Sequence, residues 1–420
     1  MRRTHKLLLY GVAAAALLFL ALALGRPQIA ALGAPFALVL ILGLSHPAPA
    51  KVEVWMEMER DRVVEGEEVE ATLVLRAPSD IPELQLAVVM PRGLSPVGGV
   101  PRMLVTLGAG EERRVPVRLA CDKWGAYRFG DIAWRAVDAA GLRVLEGGVA
   151  GRSILRVYPR VERLRSSIAP LQTQPFSGNR VARARGEGIE FADVRAYTPG
   201  DRPRRINWRA SSLHQTLHVN EEHPERNSDV IVFVDSFAEV QGPGWGTHDV
   251  AVRAAASLVE HYLTTRDRVG LVSFGGFVRW LSPSGAVVQR YRIVEALLET
   301  QIALSFAWKD IDALPRRSLT PQALIIALTP LLDERGVRAL ADLRRRGFDL
   351  VVVEISPTVL AASDQGAFDR LATRLWRLER DAMRYRLEEL GVATVRWDGH
   401  APLAAIVEGV RTYRRSARHA

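Results

Sequence analysis

The chain has 420 residues, a formal net charge of +9 and a single cysteine, Cys121. One cysteine excludes an intramolecular disulfide, and the dispersed histidines give no zinc-binding spacing. The excess positive charge comes almost wholly from arginines scattered among acidic residues, so the composition disfavours a nucleic-acid-binding surface.

The first 45 residues predict a transmembrane helical hairpin. Residues 7–24 are an uncharged apolar run of membrane-spanning length, and a second run at 29–44 is interrupted by Gly33 and Pro35. A secretory signal peptide is the alternative interpretation of the first run. The second run follows after only a few residues, which favours two spans joined by a tight loop.

The charges around these runs predict their orientation. Arg2, Arg3 and Lys6 precede the first run, whereas Arg26 is the one charged residue between the two. Positively charged residues concentrate on the cytoplasmic side of a membrane. The N-terminus is therefore predicted inside, and residues 51–420 are predicted in the cytoplasm. The sequence thus predicts a multi-pass protein of the cell membrane.

Residues 51–160 predict a β-sandwich domain. Apolar and polar residues alternate at 52–56 and 69–75, which is the period of half-buried strands. Similar short segments recur as far as 154–157 and are separated by Pro, Gly and Asp. Short strands at even spacing are typical of sandwiches. This part of the sequence contains no cluster of catalytic residue types.

Residues 229–420 predict an α/β domain with a doubly wound parallel sheet. The apolar run 230–234 predicts a strand buried on both faces, and Asp235 follows it where open α/β sheets bind ligands. Strand-like runs then alternate with helical runs, the pattern of a parallel sheet. The predicted strands are 268–274, 277–281, 323–328, 349–355 and 393–397, and the predicted helices are 248–265, 287–298, 334–346, 368–390 and 403–415.

A connector at 161–228 joins the two domains and contains the signature segment, residues 186–208. This segment reads G-x-G-x-E-F-x-x-V-R-x-Y-x-P-G-D-x-x-R-x-I-N-W. It resembles the signature of the bacterial domain-of-unknown-function 58 family, and the order of the surrounding domains extends the resemblance over nearly the whole chain. The resemblance implies an α/β von Willebrand A-like doubly wound sheet, preceded by an N-terminal two-helix membrane hairpin and a β-sandwich domain.

The resemblance also implies where a metal site would lie. In von Willebrand A domains the first strand often ends in D-x-S-x-S, and oxygen ligands there hold Mg²⁺ with waters. Here Phe237 stands at the first serine position and Glu239 at the second, so only Asp235 remains in register. Glu239 or Asp333 could supply a second carboxylate. The pattern predicts a degenerate site, in which Mg²⁺ is disfavoured, and no bound cofactor.

The polar residues of the signature segment allow two interpretations. The first is an ion-pair network that locks the segment in place, because the arginine fork suits bidentate pairing with carboxylates. Its members would be Arg195, Arg204 and Arg205 with Glu187, Glu190 and Asp201, covered by Tyr197 and Trp208. The second is a docking surface for a protein partner, because arginine and aromatic residues dominate interface hot spots. Its residues would be Arg195, Tyr197, Asp201, Arg204, Arg205 and Trp208.

These features predict a membrane-anchored scaffold or adaptor that binds a protein partner, and not an enzyme. The resemblance implies a partner of the MoxR-type AAA+ ATPase class and a role in chaperone-like assembly. A membrane-associated hydrolase is one alternative: Ser211 or Ser212 could form a triad with His214 and Asp201, although the sequence has no G-x-S-x-G elbow. Arginine-mediated binding to anionic lipid is another alternative. A phosphate loop at Gly186-x-Gly188 is disfavoured because no Lys-Ser/Thr follows it.

Overall fold

The structure is a computed structural model with two compact units, Met1–Pro159 and Arg160–Ala420. The first unit contains two apolar helices and a β-rich region, and the second contains the α/β domain. The structure describes residues 2–45, 51–99, 102–170, 190–198, 201, 203, 206–223, 229–242, 244–300, 302, 319–320, 323–357 and 367–416.

The first unit begins at the helices and continues as strands. In chain order its elements are β1 (Arg2–Arg3), α1 (His5–Leu24), α2 (Pro27–Ser45), β2 (Glu53–Met58), β3 (Arg62–Val64), β4 (Glu68–Arg76), β5 (Ile81–Val88), β6 (Leu94–Pro96), β7 (Arg102–Leu107), β8 (Glu112–Cys121), β9 (Gly125–Phe129), β10 (Ile132–Val137), β11 (Arg143–Val149) and β12 (Ser153–Tyr158). In β4 the alternation of apolar and polar residues in the sequence corresponds to an alternation in burial. Val69, Ala71 and Leu73 are buried, and the residues between them are more exposed.

The helices α1 and α2 are each long and apolar enough to cross a membrane. Thr4 caps the start of α1 by accepting a hydrogen bond from an amide of the first turn, and Gly25 ends the helix in the left-handed conformation with φ 61°. Pro35 lies inside α2 without ending it. Tyr10 packs on Phe36 with ring centroids 5.6 Å apart. The N-terminal region thus holds two packed helices that could span a membrane.

The start of α1 and the end of α2 contact one turn of the β-rich region. Strand β1 pairs antiparallel with β11, and Thr4 Oγ1 donates to the carbonyl oxygen of Gly141 at 2.8 Å. Near the end of α2, the carbonyl oxygen of Gly43 accepts a hydrogen bond from Arg143 at 2.9 Å. The same guanidinium pairs with the buried carboxylate of Asp138 at 3.1 Å. These contacts hold both ends of the helical pair side by side.

The strands of the first unit form sheets that share one core. Their orders are β1-β11-β10-β5-β7, β2-β4-β8-β6 and β3-β12-β9. Leu73, Leu86 and Leu155 come from different sheets and belong to the same hydrophobic cluster. Cys121 lies fully buried in this cluster, and burial raises the pKa of its thiol to about 11. The thiol therefore stays protonated and unreactive at neutral pH.

The second unit alternates strands and helices. In chain order its elements are β13 (Glu190–Ala196), α3 (Trp208–His214), β14 (His218–His223), β15 (Asp229–Ser236), α4 (Thr247–Thr264), β16 (Arg268–Gly275), β17 (Val278–Ser284), α5 (Val287–Leu298), β18 (Leu324–Thr329), α6 (Glu334–Arg345), β19 (Asp349–Ile355), α7 (Ala367–Glu389), β20 (Ala393–Trp397) and α8 (Leu403–Ser416). From β15 onward, the bounds of the elements lie within a few residues of those predicted from hydrophobic periodicity.

The main sheet of the second unit has strand order β17-β16-β15-β18-β19-β20. Neighbouring strands are parallel except β16 and β17, which form an antiparallel hairpin at one edge. Ile231 and Phe233 of β15 share a hydrophobic cluster with Leu340 of α6. The alternate residues Val232 and Val234 are also buried, so both faces of the strand are covered. This is a mixed α/β domain with a doubly wound sheet.

A hairpin of β13 and β14 precedes this sheet and was not indicated by the sequence. The two strands pair antiparallel, with a bulge between Phe191 and Asp193, and α3 lies between them in the chain. The strand residues are mostly polar, so they give no alternating apolar stripe from which strands can be predicted. Pairing between distant segments, and not local pattern, therefore defines this part of the connector.

Candidate functional site

Four polar side chains lie in one row across the C-terminal ends of the parallel strands. Thr329 is the register partner of Glu354, and Glu354 is the register partner of Arg396. Asp235 of β15 joins the row because its carboxylate accepts a hydrogen bond from Thr329 Oγ1 at 2.6 Å. We call these four residues the polar row. It lies at the sheet edge where doubly wound folds place their ligands.

The carboxylate of Asp235 is almost fully buried, with 3% exposure. Besides Thr329, the backbone amide of Phe237 donates to it at 3.1 Å. Burial outweighs both hydrogen bonds and raises the pKa of Asp235 to about 6, and the nearby Asp333 charge adds to this rise. A Cβ atom at Gly336 would lie 3.0 Å from this carboxylate. Glycine at that position therefore lets the first turn of α6 approach Asp235 closely.

An arginine engages Asp333, one of the acidic residues that the sequence suggested as metal ligands. Asp333 caps α6 by accepting from the Arg335 amide at 2.9 Å, and it also pairs with the Arg335 guanidinium at 2.9 and 2.7 Å. These hydrogen bonds lower the pKa of Asp333. The guanidinium carbon of Arg335 lies 4.5 Å from the ring centroid of Phe237, within the range of a cation–π contact.

These contacts do not fit a Mg²⁺ site at this edge. Asp333 is engaged by Arg335, and Phe237 presents an aromatic ring where an oxygen ligand would be needed. The Glu239 carboxylate lies beside Gly246, on the approach to α4. Among the residues that the structure describes, no group of three or more His, Cys, Asp or Glu side chains is placed to hold a metal ion. The interpretation of Asp235, Glu239 and Asp333 as a ligand set is therefore not supported.

The other half of the polar row is organised around Glu354. This side chain is fully buried and lies 2.6 Å from Arg380, which is itself 2% exposed. Arg384 and Arg396 each lie 3.4 Å from the same carboxylate. Arg380 also donates to the carbonyl oxygen of Pro330 at 3.2 Å, which ties α7 to the loop after β18. Burial lowers the pKa of Arg380.

Sequence reasoning missed Thr329, Glu354 and the arginines of α7. One signal was available: Glu354 is a carboxylate near the end of the apolar run 349–355, at the same sheet edge as Asp235. A charge in such a run requires a buried partner. The sequence does not reveal that partner, because Arg380 lies 26 residues further along and only the packing of α7 brings it to Glu354.

In the signature segment the structure brings together one ion pair. Arg195 binds Asp201 in bidentate geometry, with two contacts of 2.7 Å. The amide and hydroxyl of Thr198 also donate to Asp201. The hydrogen bonds from Arg195, followed by that from the Thr198 amide, hold the pKa of Asp201 well below the usual range. Tyr197 is half-buried and its backbone amide donates to Leu217. Arg204 and Arg205 lie outside the described residues, as does Glu187.

The exposure of Trp208 does not favour the interpretation in which it covers an ion-pair network. Trp208 begins α3 and is 70% exposed, and Leu213 on the same helix is 80% exposed. The side chain of Asn207 caps the helix by accepting from the Ala210 amide at 3.0 Å, and it donates to Asn220 at 2.7 Å. The helix is therefore fixed to the hairpin through Asn207, and this orientation leaves Trp208 on the surface.

Two of the residues considered for a hydrolase triad, Ser211 and Asp201, have other partners. Ser211 Oγ accepts from the backbone amide of His218 at 2.8 Å, and Asp201 is held by Arg195. These contacts give both residues a role in holding the turn and the hairpin. The side chain of His214 and the pair Gly186 and Gly188 lie outside the described residues.

The site thus belongs to a doubly wound α/β domain whose C-terminal edge is filled by arginine–carboxylate pairs. Residues 193–358 match the family described as "Protein of unknown function DUF58", which confirms the resemblance predicted from the signature segment. The chain is also 23% identical over 225 residues to the uncharacterized protein YeaD of Bacillus subtilis, covering 52% of this chain and 55% of that protein. The chain therefore spans about half the length of this curated relative.

Solved structures resemble the chain only weakly. A FixG-related protein from Vibrio parahaemolyticus is 15% identical, with 26% of this chain and 97% of that chain covered and a TM-score of 0.19. A GH20 exo-β-N-acetylglucosaminidase from Vibrio harveyi is 8% identical, with 73% of this chain and 82% of that chain covered and a TM-score of 0.19. Likenesses at this level carry no argument about the function of the site.

We expect Asp235→Asn to stabilise the protein at neutral pH. Because the folded pKa is about 6, the folded state binds more protons than the unfolded state between about pH 4 and pH 6, and the contribution of Asp235 to stability falls as the pH rises through that window. The variant should gain about 1–3 kcal/mol in free energy of unfolding at pH 8 and little at pH 4. Urea unfolding of the full-length protein in detergent measures the difference.

The matched control is Asp333→Asn, which should have the opposite pH dependence. Arg335 lowers the pKa of Asp333, so this carboxylate contributes stability above its unfolded pKa and loses it as the pH falls through the lower folded pKa. The control variant should therefore be destabilised at neutral pH, with a difference that disappears in acid. Destabilisation by Asp235→Asn at pH 8 would contradict the assignment of Asp235 as a buried carboxylate whose charged form lowers the stability of the folded protein.

We further expect millimolar Mg²⁺ to leave the Tm of the wild-type protein unchanged. A ligand that binds only the folded state must raise Tm, and here Arg335 and Phe237 take the place of oxygen ligands. Thermal unfolding after EDTA treatment, with and without added Mg²⁺, is the measurement. A rise in Tm that is present in the wild type and absent from Asp235→Asn would show that the site binds the cation after all.

Proposed function

We propose that the protein is a membrane-anchored scaffold or adaptor whose second unit binds a protein partner. The observation that carries this proposal is the exposed Trp208, which projects from a helix fixed to the β13–β14 hairpin. The order β17-β16-β15-β18-β19-β20, with one antiparallel edge strand, supports a von Willebrand A-like assignment for the domain. The shared core of the strands before it supports a β-sandwich.

Trp208 has the properties of an interface anchor. A large aromatic side chain that is 70% exposed in the free protein buries a large apolar area when a partner covers it. Its helix is already held by Asn207 and by the contact of Ser211 with His218, so little backbone entropy is lost on binding. The Arg195–Asp201 pair fixes the preceding turn in the same way. The segment is thus organised before any partner binds.

The partner we propose is a MoxR-type AAA+ ATPase, in keeping with the family resemblance. Binding would be independent of metal, because the Arg335 guanidinium already neutralises the carboxylate of Asp333. The second unit would present Trp208 and Leu213 to the ATPase, and Arg195 would act by holding the turn. The role of the assembly would be chaperone-like, and the chain itself would supply the binding surface and not the chemistry.

We propose that both units lie in the cytoplasm. Arg2, Arg3 and Lys6 precede α1, and Arg26 alone lies in the loop between the helices. The contacts of Thr4 with the turn at Gly141, and of Gly43 with Arg143 in the same turn, support a hairpin that returns to the side from which it started. The loop at Arg26 would then face the outside of the membrane.

We expect Trp208→Ala to abolish retention of the ATPase by the full-length protein. The detergent-extracted wild type would be immobilised and incubated with a purified MoxR-type ATPase, with ATP or ADP, and the bound ATPase would be quantified. The variant removes the exposed anchor and leaves the cap at Asn207 intact, so folding should be unaffected, which circular dichroism checks. A loss in binding of at least about 10-fold is expected for a hot-spot residue.

The matched control for this experiment is Phe277→Ala. Phe277 is also an exposed aromatic residue of the second unit, with 63% exposure, and it lies next to the β16–β17 hairpin far along the chain from α3. Its removal should leave retention unchanged. Equal loss in both variants would point to nonspecific apolar adsorption, and binding unaffected by Trp208→Ala would reject the proposed surface.

Cysteine labelling tests the proposed topology. Arg26→Cys should react with a membrane-impermeant maleimide in intact cells, whereas Arg60→Cys, in the exposed turn after β2, should react only after the cells are opened. The native Cys121 serves as an internal control, because burial raises the pKa of its thiol to about 11 and should keep it unlabelled. Labelling of Arg60→Cys in intact cells would place the β-rich unit outside and reject the cytoplasmic assignment.

A further inference from the structure

Helix α7 carries apolar residues on two opposite faces. On its inner face Leu387 is fully buried and Met383 packs against the same cluster, while Arg380 reaches the buried Glu354. On its outer face Leu371, Leu375, Leu378 and Tyr385 are each 57% exposed. An amphipathic helix at the surface of a sheet normally turns polar residues outward. The outer face of α7 therefore has more apolar surface than its packing within the chain requires.

The outer residues follow a heptad pattern. Leu371, Leu378 and Tyr385 are spaced by seven residues. Leu375 lies four residues after Leu371, and Ala382 lies four residues after Leu378. In the heptad abcdefg of a two-stranded coiled coil, this spacing places Leu375 and Ala382 at the positions named a. Leu371, Leu378 and Tyr385 then occupy the positions named d. We call these five residues the outer seam. A seam of this kind fits a second helix with the same spacing.

The charges beside the outer seam fit a second copy of α7 in parallel orientation. In a parallel pair, a g residue of one helix faces the e residue five positions further along in the other. The g residues are Arg374 and Asp381, and the corresponding e residues are Glu379 and Arg386. Both cross-pairs have opposite charge. Asp381 also pairs with Arg384 and Arg396 of its own chain, so Arg374 and Glu379 provide the clearer specificity.

We propose that α7 is a self-association surface that pairs in parallel with α7 of a second copy of this chain. The outer seam extends over fewer than three heptads, which is short for an isolated coiled coil. Anchoring both copies in one membrane raises their effective concentration and favours such a short contact. The pairing uses residues distinct from Trp208, so it does not depend on the proposed ATPase partner.

Cross-linking of single cysteine variants in membranes tests the pairing. In a parallel pair each d residue faces its own counterpart, so Leu371→Cys, Leu378→Cys and Tyr385→Cys should each give a covalent dimer of the full-length protein on mild oxidation. Arg377→Cys, on the same helix but outside the seam, should give none. If the yield of covalent dimer from Leu378→Cys is no higher than the yield from Arg377→Cys, self-association through this face is overturned. If only one of the three seam positions gives a covalent dimer, the parallel orientation is overturned.

Charge exchange tests what specifies the pairing. In the Leu378→Cys background, Arg374→Glu or Glu379→Arg should each lower the yield of dimer by roughly 5-fold, because two symmetry-related ion pairs become repulsive. Combining the two substitutions should restore the yield. Arg377→Glu makes the same charge change outside the seam and should have no effect. A double variant that stays as low as the single variants overturns the assigned charge pairing, and retention of the ATPase should be unchanged throughout.

Discussion

The ion pair between Arg335 and Asp333 determines what the C-terminal edge of the sheet can do. It occupies one carboxylate, places a guanidinium over Phe237 and brings a positive charge near the buried Asp235. A divalent cation at this edge would have to compete with a covalently attached positive charge that is already hydrogen-bonded in bidentate geometry. The edge contains acidic residues, but Asp333 is used to hold the first turn of α6.

Near its end, strand β19 also has a carboxylate that is paired with arginine, and burying this group costs more free energy. Glu354 is fully buried, and three arginines surround it. Taking these charges out of water is expensive, and replacement of such a group by apolar residues is often neutral or stabilising. Removal of one partner, by contrast, would leave an uncompensated buried charge. The cluster therefore makes the position of α7 specific: the helix is fixed where Arg380 meets both Glu354 and the Pro330 carbonyl.

Sequence reasoning succeeded where a property is local and failed where it depends on packing. The run 230–234 and the helices that follow are predictable because burial on both faces leaves a continuous apolar pattern. Phe237 was visible in the sequence as a side chain that cannot ligate a metal. The guanidinium that fills the space was not, because nothing in the sequence distinguishes Arg335 from the arginines around it. The exposure of Trp208 is likewise set by the hydrogen bond of Asn207 to Asn220, on a strand formed by distant residues.

The fixed position of α7 gives its outer seam a defined orientation. An exposed apolar stripe on a loosely held helix could rotate inward, whereas the contacts of Arg380 and Leu387 prevent this rotation. The buried charges around Glu354 hold the inner face of α7 and so also determine which of its residues face outward. The free energy spent on burying Glu354 therefore also fixes the orientation of the outer seam. In the same way, Asn207 holds α3 so that Trp208 faces solvent. In both helices a polar contact on one side keeps apolar residues available on the other, and both proposed binding surfaces depend on this arrangement.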